Sequence, residues 1–212
     1  MYRAIAALKV FCGISSTAAH REALDRARAL LTPLGAQVID VRIGRKRLEV
    51  DLKSDLDPRI VSEALRSWAE LEYLSVLGPT IELDEAEALS RAIRLFNDER
   101  FWEAHEVLEG LWRAQVGPEK EVLSGLIKLS AAYVHLQKGR PDRYMGLLRA
   151  SLKHLTASGL EEYRSIHVSQ LRNVVSEILG MGEPRYITLP ETSFYRGRPQ
   201  SGENDDLPGR QG

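Results

Sequence analysis

AQVIDVRIGRKRLEVDLKSD, residues 36–55, alternates Ile39, Val41 and Ile43 with polar neighbours, breaks at Gly44, and alternates again through Leu48, Val50 and Leu52. Two period-2 runs joined by a short glycine-bearing turn predict an antiparallel hairpin with one buried face. Upstream, residues 3–12 also alternate, Ala4, Ala6, Leu8 and Val10 on one side and Ile5, Ala7, Lys9 and Phe11 on the other. Ser15, Ser16 or Thr17 can cap a helix after that strand, and Pro33 with Gly35 ends it. Downstream, Asp57 and Pro58 open a second helix running to about Leu71, and YLSVL before Gly78 and Pro79 reads as a last strand. The order is β-α-β-β-α-β. It predicts an α+β chain that begins with a ferredoxin-like domain over residues 1–80, both helices on one face of a four-stranded antiparallel sheet.

If Ile39, Val41, Ile43, Leu48, Val50 and Leu52 face the helices, the opposite face carries Asp40, Arg42, Arg47, Glu49 and Asp51. That face is charged, mixed in sign, and lacks the exposed aromatic platform on which sheet-type RNA readers stack bases. The basic turn, Arg42, Arg45, Lys46 and Arg47, offers candidate phosphate contacts, so an RNA-binding reading rests on the hairpin tip. A sheet that docks a partner or forms a homodimer is the competing use of the same face.

The chain has 212 residues, 43% hydrophobic and 28% charged, with a formal net charge of -1. Such a chain folds as an ordinary globular protein and has no general field for nucleic acid or anionic membrane. The opening MYRAIAALKVFCG is too short to span a bilayer and is interrupted by Lys9, so no membrane association and a cytoplasmic location are expected. Cys12, the single cysteine, excludes an intramolecular disulfide and reads as a small buried residue.

From Leu83 the period is helical, over residues 84–97, 100–115, 119–139, 142–158 and 161–181. Breaks as short as VGP and KGRPD imply antiparallel neighbours, hence an all-helical bundle over 82–190. Residues 191–212 are polar and rich in Gly and Pro, and disorder is expected at least from Arg196, whereas Tyr186, Ile187 and Leu189 can lie along the bundle. Within FWEAHEVLEGLW, residues 101–112, the helical period gathers Phe101, Ala104, Leu108, Leu111 and Trp112 into a core-facing arc. Trp102, His105, Glu106, Glu109 and Arg113 form a polar stripe at its edge, in which His105 touches Glu109 and Glu109 reaches Arg113.

The run FNDERFWEAHEVLEGLWR (96–113), followed by GLIKLSAAYVHLQKGR (125–140) and LLRASLKHL (147–155), resembles the uncharacterised family called domain of unknown function 309. Its hallmark is an FxEAHExLExxW helix and a small-residue helix ending in YxHxxxG. The resemblance spans roughly residues 95–155 and implies a small helical fold with no established activity. It places Glu103, His105, Glu106, Glu109, Trp112 and His135 at family-typical positions. Lys128 and RPDRY (140–144) depart from the family pattern, and the first 80 or so residues lie outside it.

Three uses of the stripe compete. His105, Glu106 and Glu109, with His135 as a third side, make a candidate divalent-metal centre for a metal-dependent hydrolase, although the zinc-protease HExxH and the di-iron ExxH patterns are absent. Alternatively, His105 donates to Glu109 or a carbonyl, Arg113 balances the charge, and the network fixes helix register beside Ser130, Ala131 and Ala132. The third use is a binding surface lined by Trp102, His105, Glu106 and Tyr133. The sequence alone favours a non-enzymatic binding or assembly module, with no cofactor beyond that candidate metal. No GxSxG, phosphate-cradling glycine loop or second helix-pair repeat accompanies them.

Overall fold

The computed structural model describes residues 1–10, 14–78 and 84–190; Cys12 and the tail beyond Arg196 lie outside them. Four strands, β1 (Tyr2–Leu8), β2 (Gln37–Ile43), β3 (Leu48–Ser54) and β4 (Leu71–Leu77), form an antiparallel sheet in the order β2-β3-β1-β4. Helices α1 (Thr17–Leu31) and α2 (Pro58–Arg66) cross over between them. Each starts where its cap dictates: Ser16 accepts from the Ala19 amide, and Asp57 from the Arg59 amide ahead of Pro58. Helix α2 stops five residues before the expected Leu71, which instead begins β4.

The sheet face turned to α1 and α2 buries Ala4, Ala6, Leu8, Val41, Ile43, Leu48, Val50 and Leu52. Ile39 is not among them. A bulge between Val38 and Asp40 shifts the β2–β3 register, so Val38 takes the inward place and Ile39 is 37% exposed. One extra residue reverses every side chain on one side of it, which strict alternation could not register.

Helices α3 (Glu85–Asn97), α4 (Phe101–Ala114), α5 (Gly117–Gln137) and α6 (Pro141–Ala157) follow as expected. The fifth expected helix begins later. A two-residue pair of strands, β5 (Glu162–Tyr163) and β6 (Ile166–His167), precedes α7 (Val168–Met181) and buries Tyr163 and Ile166. The bundle core is aromatic at its centre. Phe101 stacks on Tyr133 with centroids 4.8 Å apart, and Phe96, Tyr144 and Tyr186 meet Tyr133 at 5.3, 5.4 and 5.6 Å. The segment after α7 closes this cluster, as expected for Tyr186 and Leu189. The Arg185 carbonyl accepts from Tyr133 and Tyr144 Oη at 2.7 and 3.1 Å, and Leu189 pairs its backbone with the Asn97 side chain at 2.7 and 2.8 Å.

The two apolar clusters share no residue, one drawn from positions 4–65 and the other from 88–189. Charge joins them. The sheet face expected to be open is covered by the bundle, and Arg42, Arg47, Glu49 and Asp51 are each 5% exposed or less. A homodimer through that face is therefore obstructed, and the sheet's remaining unpaired backbone lies along β2 and β4 at its edges. Among the described residues no helix is long and apolar enough to cross a membrane.

Candidate functional site

Helix α4 lies where bundle, sheet and α5 meet, and its side chains divide accordingly. Phe101, Ala104, Leu108 and Leu111 enter the core as their spacing requires. Trp102 turns to the sheet, its ring lying 4.4 Å from the Arg3 guanidinium and 5.5 Å from that of Arg42. Glu103 is buried against Arg100, with oxygens at 2.6 and 2.7 Å from the guanidinium. Trp112 leaves the arc assigned to it from the sequence. It is 36% exposed, its indole N–H donates to Ser124 Oγ at 2.8 Å, and the Lys120 ammonium sits 4.1 Å above its ring. An indole with a polar edge is satisfied at the rim, where its N–H finds a hydroxyl.

His105 is half-buried. Its Nδ1 faces the Ile127 carbonyl on α5 at 3.3 Å, and its Nε2 stands 3.3 Å from Glu109 Oε1. Among the described residues the ion pair of Glu109 is with His105 and not with Arg113, which is exposed. Ligand atoms of His105, Glu106 and Glu109 lie within 4.8 Å of one another. Two residues drop out of the expected surface. Tyr133 is fully buried in the aromatic cluster and lines no groove. His135, far around α5, has Lys138, Arg140, Arg143 and Asp40 as its charged neighbours; burial and the three cations hold its imidazole below the ordinary range. It stands outside the group formed by His105, Glu106 and Glu109.

The cations of the basic hairpin are committed inside the chain. Arg42 Nε donates to Glu49 Oε2 at 2.8 Å and Nη1 to Asp51 Oδ2 at 3.3 Å, while Arg3 grips Asp51 through two bonds of 2.8 and 2.9 Å. Arg45 reaches Glu99, Lys46 the Asn97 carbonyl and Asp98, and Arg47 both Glu72 and Asp98. The tip thus plugs into the α3–α4 corner, where Glu99 takes a left-handed φ of 62° and its carboxylate also accepts the Arg45 amide at 2.8 Å. Burial pushes the Glu49 carboxyl up against the opposing pull of Arg42, and its Oε1 has no protein partner.

A second joint was not anticipated. Asp40 Oδ1 meets His20 Nε2 of α1 at 2.9 Å, and Oδ2 meets Lys138 Nζ of α5 at 2.5 Å. Burial alone would raise this carboxyl, but Lys138 and His20 more than offset it and hold it below the ordinary value. Its folded pKa lies under the unfolded one, so its contribution is present above about pH 4 and is lost as pH falls through the folded value. Asp40→Asn is accordingly expected to lower stability at pH 7, with the deficit shrinking as pH is taken from 5 towards 2. Urea denaturation of both proteins across that range checks it, and a deficit independent of pH would exclude the assignment.

Residues 89–147 match the family model described as Domain of unknown function (DUF309). This is the segment of α3 to α6 in which the motif was read. An uncharacterized protein of Aquifex aeolicus (strain VF5) is 30% identical over 100 residues, a match covering 47% of this chain and 30% of that relative. The family model is a likeness of the α3 to α6 segment, the relative is itself uncharacterized, and neither names a reaction.

Proposed function

We propose that the chain is a non-enzymatic binding or assembly module, a ferredoxin-like front domain (1–80) joined to a helical bundle (82–190). The strand order β2-β3-β1-β4 with crossovers by α1 and α2 supports the first name, and the separate apolar clusters support the division near Pro79. The observation that carries the functional reading is how the motif helix spends its side chains. Phe101 fills the core, Trp102 lies against two arginines of the sheet, Glu103 is held by Arg100, and Trp112 is tied to α5. Groups that serve catalysis must meet in a cleft that can take substrate. A surface depression is lined by Arg28, Thr32, Gly35, Ala36, Gln37 and Val38, none of them in α4 or α5.

The reading opposed to this is a metal-dependent hydrolase centred on His105, and one experiment separates them. Purified protein is incubated with chromogenic carboxylic and phosphate esters, with and without zinc, manganese or magnesium. No turnover above buffer is expected. Turnover that disappears in His105→Ala would overturn the proposal.

A further inference from the structure

The chain after α7 is held in the way a peptide ligand is held. Residues 183–190, EPRYITLP, form neither helix nor strand, and they are fixed at Arg185 and Leu189 through the main chain. The Arg185 carbonyl accepts twice, from Tyr133 Oη of α5 at 2.7 Å and from Tyr144 Oη of α6 at 3.1 Å. At Leu189 the Asn97 amide of α3 answers the N–H and the C=O of one residue together, at 2.7 and 2.8 Å. Side chains that read a backbone supply affinity for an extended segment, and the pockets beside them supply the choice of sequence.

Two side chains of this strap enter the bundle. Leu189 is 5% exposed, and the ring of Tyr186 lies 6.1 Å from Phe101 and 5.6 Å from Tyr133. Tyr186 Oη is buried with no protein partner, so its pocket fits a ring and offers nothing to the hydroxyl, which weakens the hold on the resident segment. Arg185, Thr188 and Pro190 are exposed. The ion pair of the strap, Arg185 with Glu177 at 3.4 Å, joins two half-exposed groups and contributes little. The strap leaves α7 at Gly182, whose φ of +72° and open surroundings make it a pivot.

We infer that this seat on α3, α5 and α6 is a site for an extended peptide, that residues 184–190 fill it in cis, and that the occupant taken in exchange is the same segment of a second copy of the chain. The second copy's segment meets every contact just given, main chain and side chain, with no new surface required, and exchange of an identical element is a low-cost route to a dimer. The inference rests on the module reading and deepens it, making assembly a reciprocal exchange of straps. Arg45 of the hairpin tip lies 4.2 Å from the Tyr186 ring, so the tip touches whichever strap is seated.

The probe is a fluorescein-labelled peptide of residues 183–190, read by its polarisation with the full chain. Wild type should take up little, because its own strap competes at an effective concentration on the order of millimolar. Leu189→Asp drives the strap from the core and should bind the peptide at least about tenfold more tightly than wild type. Adding Asn97→Ala should cancel that gain, and a peptide carrying Tyr186→Phe should bind at least as well as the parent. Leu189→Ser is the milder release where circular dichroism shows Leu189→Asp unfolded. Full-length Leu189→Asp, with its seat open, mixed with full-length Asn97→Ala, with its strap intact, should give a dimer by light scattering that neither gives alone. A folded release variant that ignores the peptide, or uptake equal to that of wild type, would overturn the seat. A mixture that stays monomeric would overturn the second copy as its occupant. Either failure leaves the module reading standing, since that is decided by the turnover assay.

Discussion

Arg42→Leu is expected to destabilise the protein by about 3–5 kcal/mol, the usual cost of removing one partner from a buried ion pair. Arg42 is 1% exposed and answers two carboxylates that are equally buried, Glu49 and Asp51. Leucine fills part of the space but removes the cation that is hydrogen-bonded to Glu49, while Asp51 keeps its two bonds from Arg3. For a chain of this length the melting temperature should fall by about 6–20 °C. The double variant Arg42→Leu, Glu49→Leu should recover most of that loss, because removing both charges removes the desolvation cost together with the attraction. Thermal melting of the wild type, both single variants and the double variant completes the cycle. A shift below about 2 °C for Arg42→Leu would show that the joint is hydrated and that its charges contribute little. Tryptophan emission should also change, since the ring of Trp102 loses a guanidinium 5.5 Å away.

Gly139→Ala is the second large effect. Gly139 ends α5 at a φ of +63°, and a Cβ there would stand 2.2 Å from the Ser16 carbonyl carbon and 2.4 Å from its oxygen and from the Thr17 nitrogen. Those are backbone atoms at the start of α1, so no side-chain rotation relieves the overlap; the α5–α6 corner must lift from the start of α1. With it goes the bond from Thr17 Oγ1 to the Gly139 carbonyl, 2.7 Å long. Gly182 supplies the control. It ends α7 at a φ of +72° with nothing within 4 Å of the added carbon. Gly182→Ala should therefore cost only the left-handed penalty of about 1–2 kcal/mol, and Gly139→Ala clearly more, on the order of 3 kcal/mol or above. Chemical denaturation of the two variants is the measurement. Equal losses would mean that the corner yields freely and that the halves are loosely held.

What the sequence could state was what local physics decides. The alternation of Val41, Ile43, Leu48, Val50 and Leu52, the cap at Asp57 and the one among Ser15, Ser16 and Thr17, and the apolar arc of Phe101, Ala104, Leu108 and Leu111 each follow from neighbours a few residues away. The motif helix was legible for the same reason, and so was the contact of His105 with Glu109, one turn apart. Ile39 and Trp112 mark where that reasoning ended, one displaced by a bulge and the other drawn to the rim by Ser124.

The use of the charged sheet face was decided only in three dimensions. Arg42, Glu49 and Asp51 were correctly assigned to one side, yet nothing in their spacing says whether that side meets water or another layer. Its cover comes from Trp102 and the α3–α4 corner, and the partners that settle it are remote in the chain, as Arg45 is from Glu99, Asp40 from Lys138 and Thr17 from Gly139. A local pattern records the period of an element and therefore its buried side. It carries no record of which distant charge will answer a given one, because that pairing exists only once the chain has closed those separations, and the basic turn that looked free to meet phosphate is held by carboxylates of the sheet and of the α3–α4 corner.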